Sequence, residues 1–504
     1  MTFRLPTPDD LRRLAAANHF ELSDDEMAGF QTLIPGFLSS YESLEHIPMP
    51  QEPLKYPDRD PGQRPSRQDD PFNAILRQCR LKGSSSGKLA GKRFGLKNNI
   101  CIAGMPMTCG SLLLDGYIPE TDATIVTWLL DAGAEVVATL NLDNFAFSGA
   151  GDTSAYGPVL NPHNPEHLAG GSSGGSGAAL YYDDIDITIG GDQGGSIRIP
   201  ASYCGVVGLK PTHGLVPYTG IVGIDNTFDH AGPMSRTVAD SALTLEVIAG
   251  KDSLDPRQGE VRVQPYTEAL GLGVNGLRIG VLTEGFGWSD SEPDVDAAVL
   301  KALGVLNELG AQTADVSVPG HKTAGGIVWA LISQGATALL QGNGAGYGWE
   351  GFYNQSLMST LGMARRTQAN DFPPTVKMVL LMGTYMSEHY HSRAYAKAQN
   401  MRRFLRASYD QALEQYDVLA LPTTPMKANR YEPDHDVAGI LSDGWKMVNN
   451  TAPFNMTGHP ALSIPCGKSN GLPVGLMLVG KHFDDATLFR VAHAFEQHAN
   501  WETL

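Results

Sequence analysis

Two glycine-rich serine loops flank one short apolar stretch: Gly170-Gly171-Ser172-Ser173-Gly174-Gly175-Ser176-Gly177 and Gly190-Gly191-Asp192-Gln193-Gly194-Gly195-Ser196-Ile197-Arg198. Glycine admits φ > 0 and lets backbone amides crowd a reacting atom. A hydroxyl in such a loop can sit beside converging N–H donors, which are the parts of an acyl-transfer site. Ser196 is the candidate nucleophile, because it follows an apolar strand and a Gly-Gly-Asp-Gln-Gly-Gly turn. The amides of Gln193, Gly194, Gly195 and Ser196 then face a forming oxyanion. By itself, Gly-Gly-Ser reads first as a tight turn. A serine needs a base, and none of the 14 histidines stands in a pairing context. Lys97, at the end of Phe94-Gly95-Leu96, is the alternative base. Burial disfavours an ammonium and lowers its pKa, so a neutral amine can accept a proton. Bringing it from about 10.4 to near 7 costs roughly 4 to 5 kcal/mol; an ordinary solvated lysine is the competing reading. Ser172 reads on position alone as a helix N-cap ahead of Gly177-Ala-Ala-Leu. Asp192 and Arg198 bracket the second loop and either pair to hold its shape or form a surface ion pair.

The elements that must position these residues follow from the pattern. From about Asn73, strands and helices alternate: Phe94 to Ile102 as strand and loop, Asp122 to Ala132 as a capped helix, Glu135 to Leu140 and Asp184 to Ile189 as strands. Leu277 to Leu282 reads as another strand and Asp294 to Leu309 as an amphipathic helix. This predicts an α/β fold, a mixed central β-sheet with helices on both faces. Thr7-Pro8 and Ser23 start two helices in an N-terminal extension. Pro48, Pro50, Pro53, Pro57, Pro61 and Pro65 make Ile47 to Asp70 a linker, since proline blocks a helix. Residues 1–70 are thus a helical extension and linker, with a dimerisation arm as their expected use, and 71–504 the catalytic domain. Residues 320–400 break the rhythm and read as an insertion that shapes substrate choice.

Composition narrows the partners. A formal net charge of −17 repels phosphodiester backbones and anionic membranes, so the expected partner is a small molecule, not nucleic acid or membrane. Five scattered cysteines without a CxxC pair argue against a disulfide framework and a zinc cage. The N-terminus meets charges and prolines too early for a signal peptide, and no window holds roughly 18 consecutive apolar residues. The expected location is cytoplasmic.

The combination of motifs resembles the amidase signature family. Phe94-Gly-Leu-Lys97-Asn-Asn-Ile, Gly104-Met-Pro-Met-Thr-Cys-Gly-Ser, the Ser172 loop and Gly191-Asp-Gln-Gly-Gly-Ser196-Ile-Arg-Ile-Pro-Ala occur in the family's order. Gly208-Leu-Lys-Pro-Thr-His-Gly, Gly232-Pro-Met-Ser-Arg-Thr-Val-Ala-Asp, Tyr416 to Pro425 and Pro453 to Leu462 continue it, over roughly residues 70 to 500. The resemblance implies a Ser–cis-Ser–Lys triad at Ser196, Ser172 and Lys97, with Gly171–Ser172 as the cis peptide. It implies amide hydrolysis through an acyl-enzyme on Ser196, with no metal or organic cofactor. Gly171, Ser173, Asp192 and Arg198 are then supporting residues. Asn144 to Gly151 resembles the stretch lining the acyl pocket, so Phe147, Gly149 and Ala150 are expected at the substrate, with core packing of Phe147 as the alternative. Asn98 and Gln193 depart from the family's usual Asp and Thr. Gln193, the helical extension and the Tyr390 to Asn400 region resemble bacterial nitrile-pathway amidases, which implies a homodimer acting on small aliphatic and aromatic amides. Aryl-acylamidase or carbamate hydrolysis, and a glutamine-hydrolysing component of a tRNA amidotransferase, remain as alternatives. Gly171-Ser172-Ser173-Gly174-Gly175 also fits G-x-S-x-G, but a loop precedes it where an α/β-hydrolase elbow requires a strand. His389 and His391 lack a third ligand at fitting spacing.

Overall fold

The computed structural model describes residues 3–49 and 53–504. Pro50 of the proline-rich stretch and the first two residues, on which the linker and export readings touch, lie outside them. The chain divides after Lys55 into two compact units. In the first, the helices Pro8–Ala17 and Asp24–Glu45 begin where the sequence predicts. Each opens on a capping box: Thr7 Oγ1 accepts from the Asp10 amide while the Asp10 carboxylate accepts from the Thr7 amide, and Ser23 and Glu26 repeat the exchange. The second helix leaves Phe30, Leu33, Phe37, Tyr41 and Leu44 exposed at three- and four-residue spacing, a continuous apolar stripe.

In the second unit, twelve strands among the described residues form one sheet. They are β1 (Arg59–Gln63), β2 (Ile75–Lys82), β3 (Arg93–Lys97), β4 (Glu135–Leu140), β5 (Ile187–Asp192), β6 (Val207–Lys210), β7 (His230–Ser235), β8 (Arg278–Leu282), β9 (Gln312–Val316), β10 (Val418–Pro422), β11 (Ala461–Ser469) and β12 (Leu472–Val479). Their order is β1-β2-β4-β3-β5-β7-β6-β11-β12-β10-β8-β9. β3 runs parallel to β4 and β5, and β8 to β9 and β10, while the other pairs are antiparallel, so the sheet is mixed as expected. Successive side chains of a strand point to opposite faces, and here both faces are buried. Val418 and Ala420 of β10 join the largest core with Val299, Leu303 and Leu306 of the helix Pro293–Glu308. Leu419 and Leu421 join a separate core with Leu405 and Tyr409 of the helix Arg393–Gln415. A strand buried on both sides reads as a continuous apolar run, which is why Val418-Leu-Ala-Leu carries no alternation.

Four expectations change. The stretch read as linker contains β1, an edge strand antiparallel to β2. Arg59 of β1 pairs with Asp122 at 2.6 Å, both side chains nearly buried. That pairing removes Asp122 from the capping role expected of it, and the helix starts at Thr124 with no side-chain cap. Gly190-Gly191-Asp192, read as a turn, is the end of β5. The insertion is helical, with Gly325–Gln341, Gln355–Thr367 and Pro374–Tyr390, and its last helix continues past residue 400 to Gln415. Residues 320–341 are long and apolar enough to span a membrane by composition, with mean hydropathy 1.3. Val328, Leu331 and Leu340 of that segment pack into a core.

Candidate active site

Adjacent parallel strands deliver the two ends of the site. β3 ends in Lys97 and its neighbour β5 ends in Asp192, with Leu96 opposite Ile189, so the lysine and the loop that carries Ser196 leave the sheet on one side. Lys97 is fully buried. Its Nζ donates to Ser172 Oγ at 2.7 Å and to the Gly191 carbonyl at 3.3 Å. Ser173 is fixed to the same residue: its Oγ donates to the Gly191 carbonyl at 3.0 Å and accepts from the Gly191 amide at 3.2 Å. Burial brings the Lys97 pKa down from 10.5 to about 7 against the opposing pull of Asp143 and Asp192. The solvated alternative for Lys97 therefore falls.

The Gly171–Ser172 peptide is cis. Gly171 has no room for a side chain, because a Cβ there would lie 1.9 Å from Asp143 Oδ2. The N-cap alternative for Ser172 fails as well, since the short helix Gly174–Ala178 has Ser173 at its cap position with no side-chain cap bond. Ser196 is 6% exposed, and its carbonyl accepts from the Ser173 amide at 3.2 Å. The two loops are thus tied through their backbones. No hydrogen bond joins the Ser172 and Ser196 hydroxyls among the described residues.

Asp192 and Arg198 form a fully buried, two-pronged pair, with Nε to Oδ2 and Nη2 to Oδ1 both at 3.0 Å. This replaces the surface-pair alternative. The Asp192 carboxylate also accepts from the amides of Gly195 (2.8 Å) and Ile197 (3.1 Å), so it gathers the loop around itself. Burial acts to raise its pKa, but Arg198's charge and hydrogen bonds, with help from Asn455, hold it at about 2. One expectation is corrected here. The Gly195 amide donates to Asp192 Oδ1 and is not free for an oxyanion, which leaves the amides of Gln193, Gly194 and Ser196 as the candidates. Gly195 is glycine for another reason: its φ is +138°, and a Cβ would lie 2.3 Å from Thr451 Oγ1.

Phe147 lies in a core with Val376, Ala452 and Met456, which is the packing alternative raised from the sequence. Ala150 is buried beside Leu168, Ile199 and Met447. Gly149 accepts from the Gly171 amide through its carbonyl at 2.7 Å, so this stretch braces the Ser172 loop from behind. Gln193 Nε2 donates to Tyr218 Oη at 2.9 Å, and the Tyr218 ring lies against the Arg257 guanidinium at 4.7 Å. His389 packs on Tyr385 and His391 ends a helix in a left-handed conformation, with no third ligand group among the described residues.

Three supports escaped the sequence reading. Asp143 accepts from the amides of Gly151 and Thr153 and from Thr153 Oγ1. Thr451 Oγ1 donates to the Gly194 carbonyl at 2.6 Å, and Asn455 Nδ2 donates to Asp192 Oδ1 at 2.8 Å. The signal for Asn455 was its place in the Pro453 to Leu462 motif. Asp143 had only its position just past β4.

Two apolar side chains lie beside the loop. A Cβ on Gly194 would meet Ala452 at 3.9 Å and Ile332 at 4.0 Å. One turn before Ile332, Trp329 is 37% exposed and packs edge-on against Trp445 at 4.7 Å. A buried amine brought near neutral pH beside two buried serines and free backbone amides suits attack of a serine hydroxyl on an amide carbonyl.

Comparison with known proteins points the same way. The family model described as Amidase matches residues 73–489. An enantioselective amidase from Rhodococcus rhodochrous is 40% identical over 501 residues, covering 97% of this chain and 96% of that protein. The A subunit of glutamyl-tRNA(Gln) amidotransferase from Exiguobacterium sibiricum is 40% identical over 436 residues, covering 86% of this chain and 88% of that protein. Among solved structures, the same amidotransferase component from Thermotoga maritima aligns with a TM-score of 0.71 at 32% identity, over 86% of this chain and 89% of the other. A peptide amidase in complex with chymostatin aligns with a TM-score of 0.71 at 28% identity, over 92% and 93%.

Proposed function

This chain belongs to the amidase signature family of amide-cleaving hydrolases, and on that premise we propose that it hydrolyses small aliphatic or aromatic carboxylic amides to the acid and ammonia. Neutral Lys97 takes the proton of Ser172 as Ser172 takes that of Ser196, and Ser196 Oγ attacks the carbonyl carbon. The oxyanion rests on the amides of Gln193, Gly194 and Ser196. Ser172 then returns a proton to the nitrogen as the C–N bond breaks. Water hydrolyses the acyl-enzyme by the same relay. The relay requires a Ser172–Ser196 contact, and catalytic hydrogen bonds commonly tighten only once substrate is seated.

The observation that carries the reading is the buried, near-neutral Lys97 bonded to Ser172 beside the Ser196 loop. Ile332, on the inserted helix Gly325–Gln341 and beside Gly194, supports an apolar acyl group and a substrate-shaping role for residues 320–400. The exposed stripe of Asp24–Glu45 supports a homodimer with the N-terminal unit as its arm. Five free, buried cysteines fit a cytoplasmic location.

Identity to the amidotransferase components equals that to the amidase, so ammonia release from glutamine for a partner is a second reading. The amidase match, which extends over 97% of the chain, favours the first. The test is ammonia or amine release from acetamide, propionamide, benzamide, an anilide, a carbamate and glutamine. Wild type should turn over a simple amide, and Ser196→Ala and Lys97→Ala should each lose at least about a thousandfold. Turnover that survives Ser196→Ala overturns the nucleophile. Activity on glutamine alone, raised by co-purified partner chains, moves the function to the second reading.

A further inference from the structure

Away from the serine loops, three separate elements bring Asp410, His459 and His482 together. Asp410 is on the helix Arg393–Gln415, His459 follows the helix Ala452–Thr457, and His482 lies between β12 and the helix Asp485–His498. One ligand atom from each lies within 4.8 Å of the other two. We propose that these three residues form a binding site for a divalent transition-metal ion of the zinc class, which clamps the inserted helix to the segment that carries Thr451 and Asn455.

The donors suit such an ion. Two imidazoles and a carboxylate are borderline ligands that zinc accepts at about 2.0–2.2 Å. His459 Nε2 is hydrogen-bonded to Asp410 Oδ1 at 3.0 Å, and an ion would replace that bond by ligating both atoms at close to the same separation. For Nε2 to ligate, Nδ1 must hold the ring's proton, and Thr457 Oγ1 is there at 2.9 Å to accept it. The His482 ring lies 4.3 Å from that of His459, and its buried Nε2 has no hydrogen-bond partner. A buried ring nitrogen without a partner is costly in an apo protein and is satisfied by a metal. Asp410 is half exposed, which gives an ion a route in and leaves room for a water ligand. Arg406, one turn away, is directed to the Thr457 carbonyl by a 2.7 Å bond. Lys210 is bonded to the His459 carbonyl at 2.6 Å, and these two basic groups temper the affinity.

The test uses the full-length protein stripped with chelator, with Zn2+ alone as the probe. The wild type should retain one zinc per chain after dialysis, and its Tm should rise with zinc concentration. Asp410→Asn, which keeps an oxygen to accept from His459 and whose metal-free Tm is measured alongside, and His482→Gln should each weaken binding at least about tenfold. A wild type with no zinc-dependent Tm shift overturns the site, as does wild-type affinity in both variants. Neither outcome bears on the serine chemistry, which Ser196→Ala tests separately.

Discussion

Replacing Lys97 with methionine tests the physical core of the site. The Lys97 amine titrates at about 7 in the folded chain against 10.5 for an ordinary lysine, because the fold strips its water. That shift corresponds to about 5 kcal/mol against holding the ammonium in this pocket. Between about pH 7 and 10.5 the unfolded chain carries a proton that the native chain lacks, so this residue makes wild-type stability rise with pH. Below pH 7 both states are protonated and the whole penalty stands. Methionine fills a similar volume and has nothing to titrate. Lys97→Met should therefore be inactive yet more stable than wild type, with the largest advantage below pH 7. That advantage should shrink by about 2 to 3 kcal/mol between pH 7 and 9. Asp152, whose carboxyl burial raises to about 7, titrates in both proteins and largely cancels from the difference. The assay is urea unfolding of both chains at pH 6, 7, 8 and 9, beside the wild-type pH–rate profile. That profile should climb tenfold per unit in acid and level off near pH 7. A stability gap that stays constant across the window would refute the argument, because it means that Lys97 does not change its charge there.

Two further outcomes probe the loop. Arg198→Met strands a buried carboxylate and should cost about 3 to 5 kcal/mol in urea unfolding, with the Asp192→Asn/Arg198→Met pair losing less than the single change. An additive double variant would contradict the pairing. Gly195→Ala must displace Thr451 or the loop itself and should lower kcat about a hundredfold. Gly194→Ala, whose Cβ has nearly 4 Å of clearance, should be far milder, and equal losses at the two positions would count against the described loop geometry.

What was legible in the sequence was local. Thr7 and Ser23 announced their helices because a capping box is complete within four residues. The serine loops became legible only together with Lys97 and the other motifs in order, since glycine density alone marks a tight turn. β1 was hidden because proline and glycine forbid a regular ladder. The strand accommodates Pro61 and Gly62 at a register shift between Asp60 and Gln63, on an edge where an absent donor is harmless. Asp122 was misread because its partner, Arg59, sits in that hidden strand. The buried state of Lys97, the grip of Asn455 on Asp192 and the bed of Asp143 under Gly171 depend on long-range packing, for which no periodicity exists. Gly195 was assigned as a donor because spacing alone does not reveal that Asp192 turns back to claim its amide.

The helices between residues 320 and 415 leave the sheet after β9 and return at β10, two strands on the far side of the sheet from Lys97. Lys97 and the Ser196 loop hang from β3 and β5, which share no strand with that excursion. The excursion is therefore one contiguous stretch set apart from the strands that carry the proposed triad. Its two junctions are anchored by β8, which pairs with both β9 and β10, and a replacement must match those strand ends together with the cores this stretch fills, Leu405 and Tyr409 against Leu419 and Leu421 and Val376 against Phe147. If that stretch sets selectivity as proposed, selectivity can diverge by change in one contiguous stretch of gene while the strands that carry Lys97 and Asp192 stay in place. A chimera joined at those two ends is the natural unit for redesigning this enzyme.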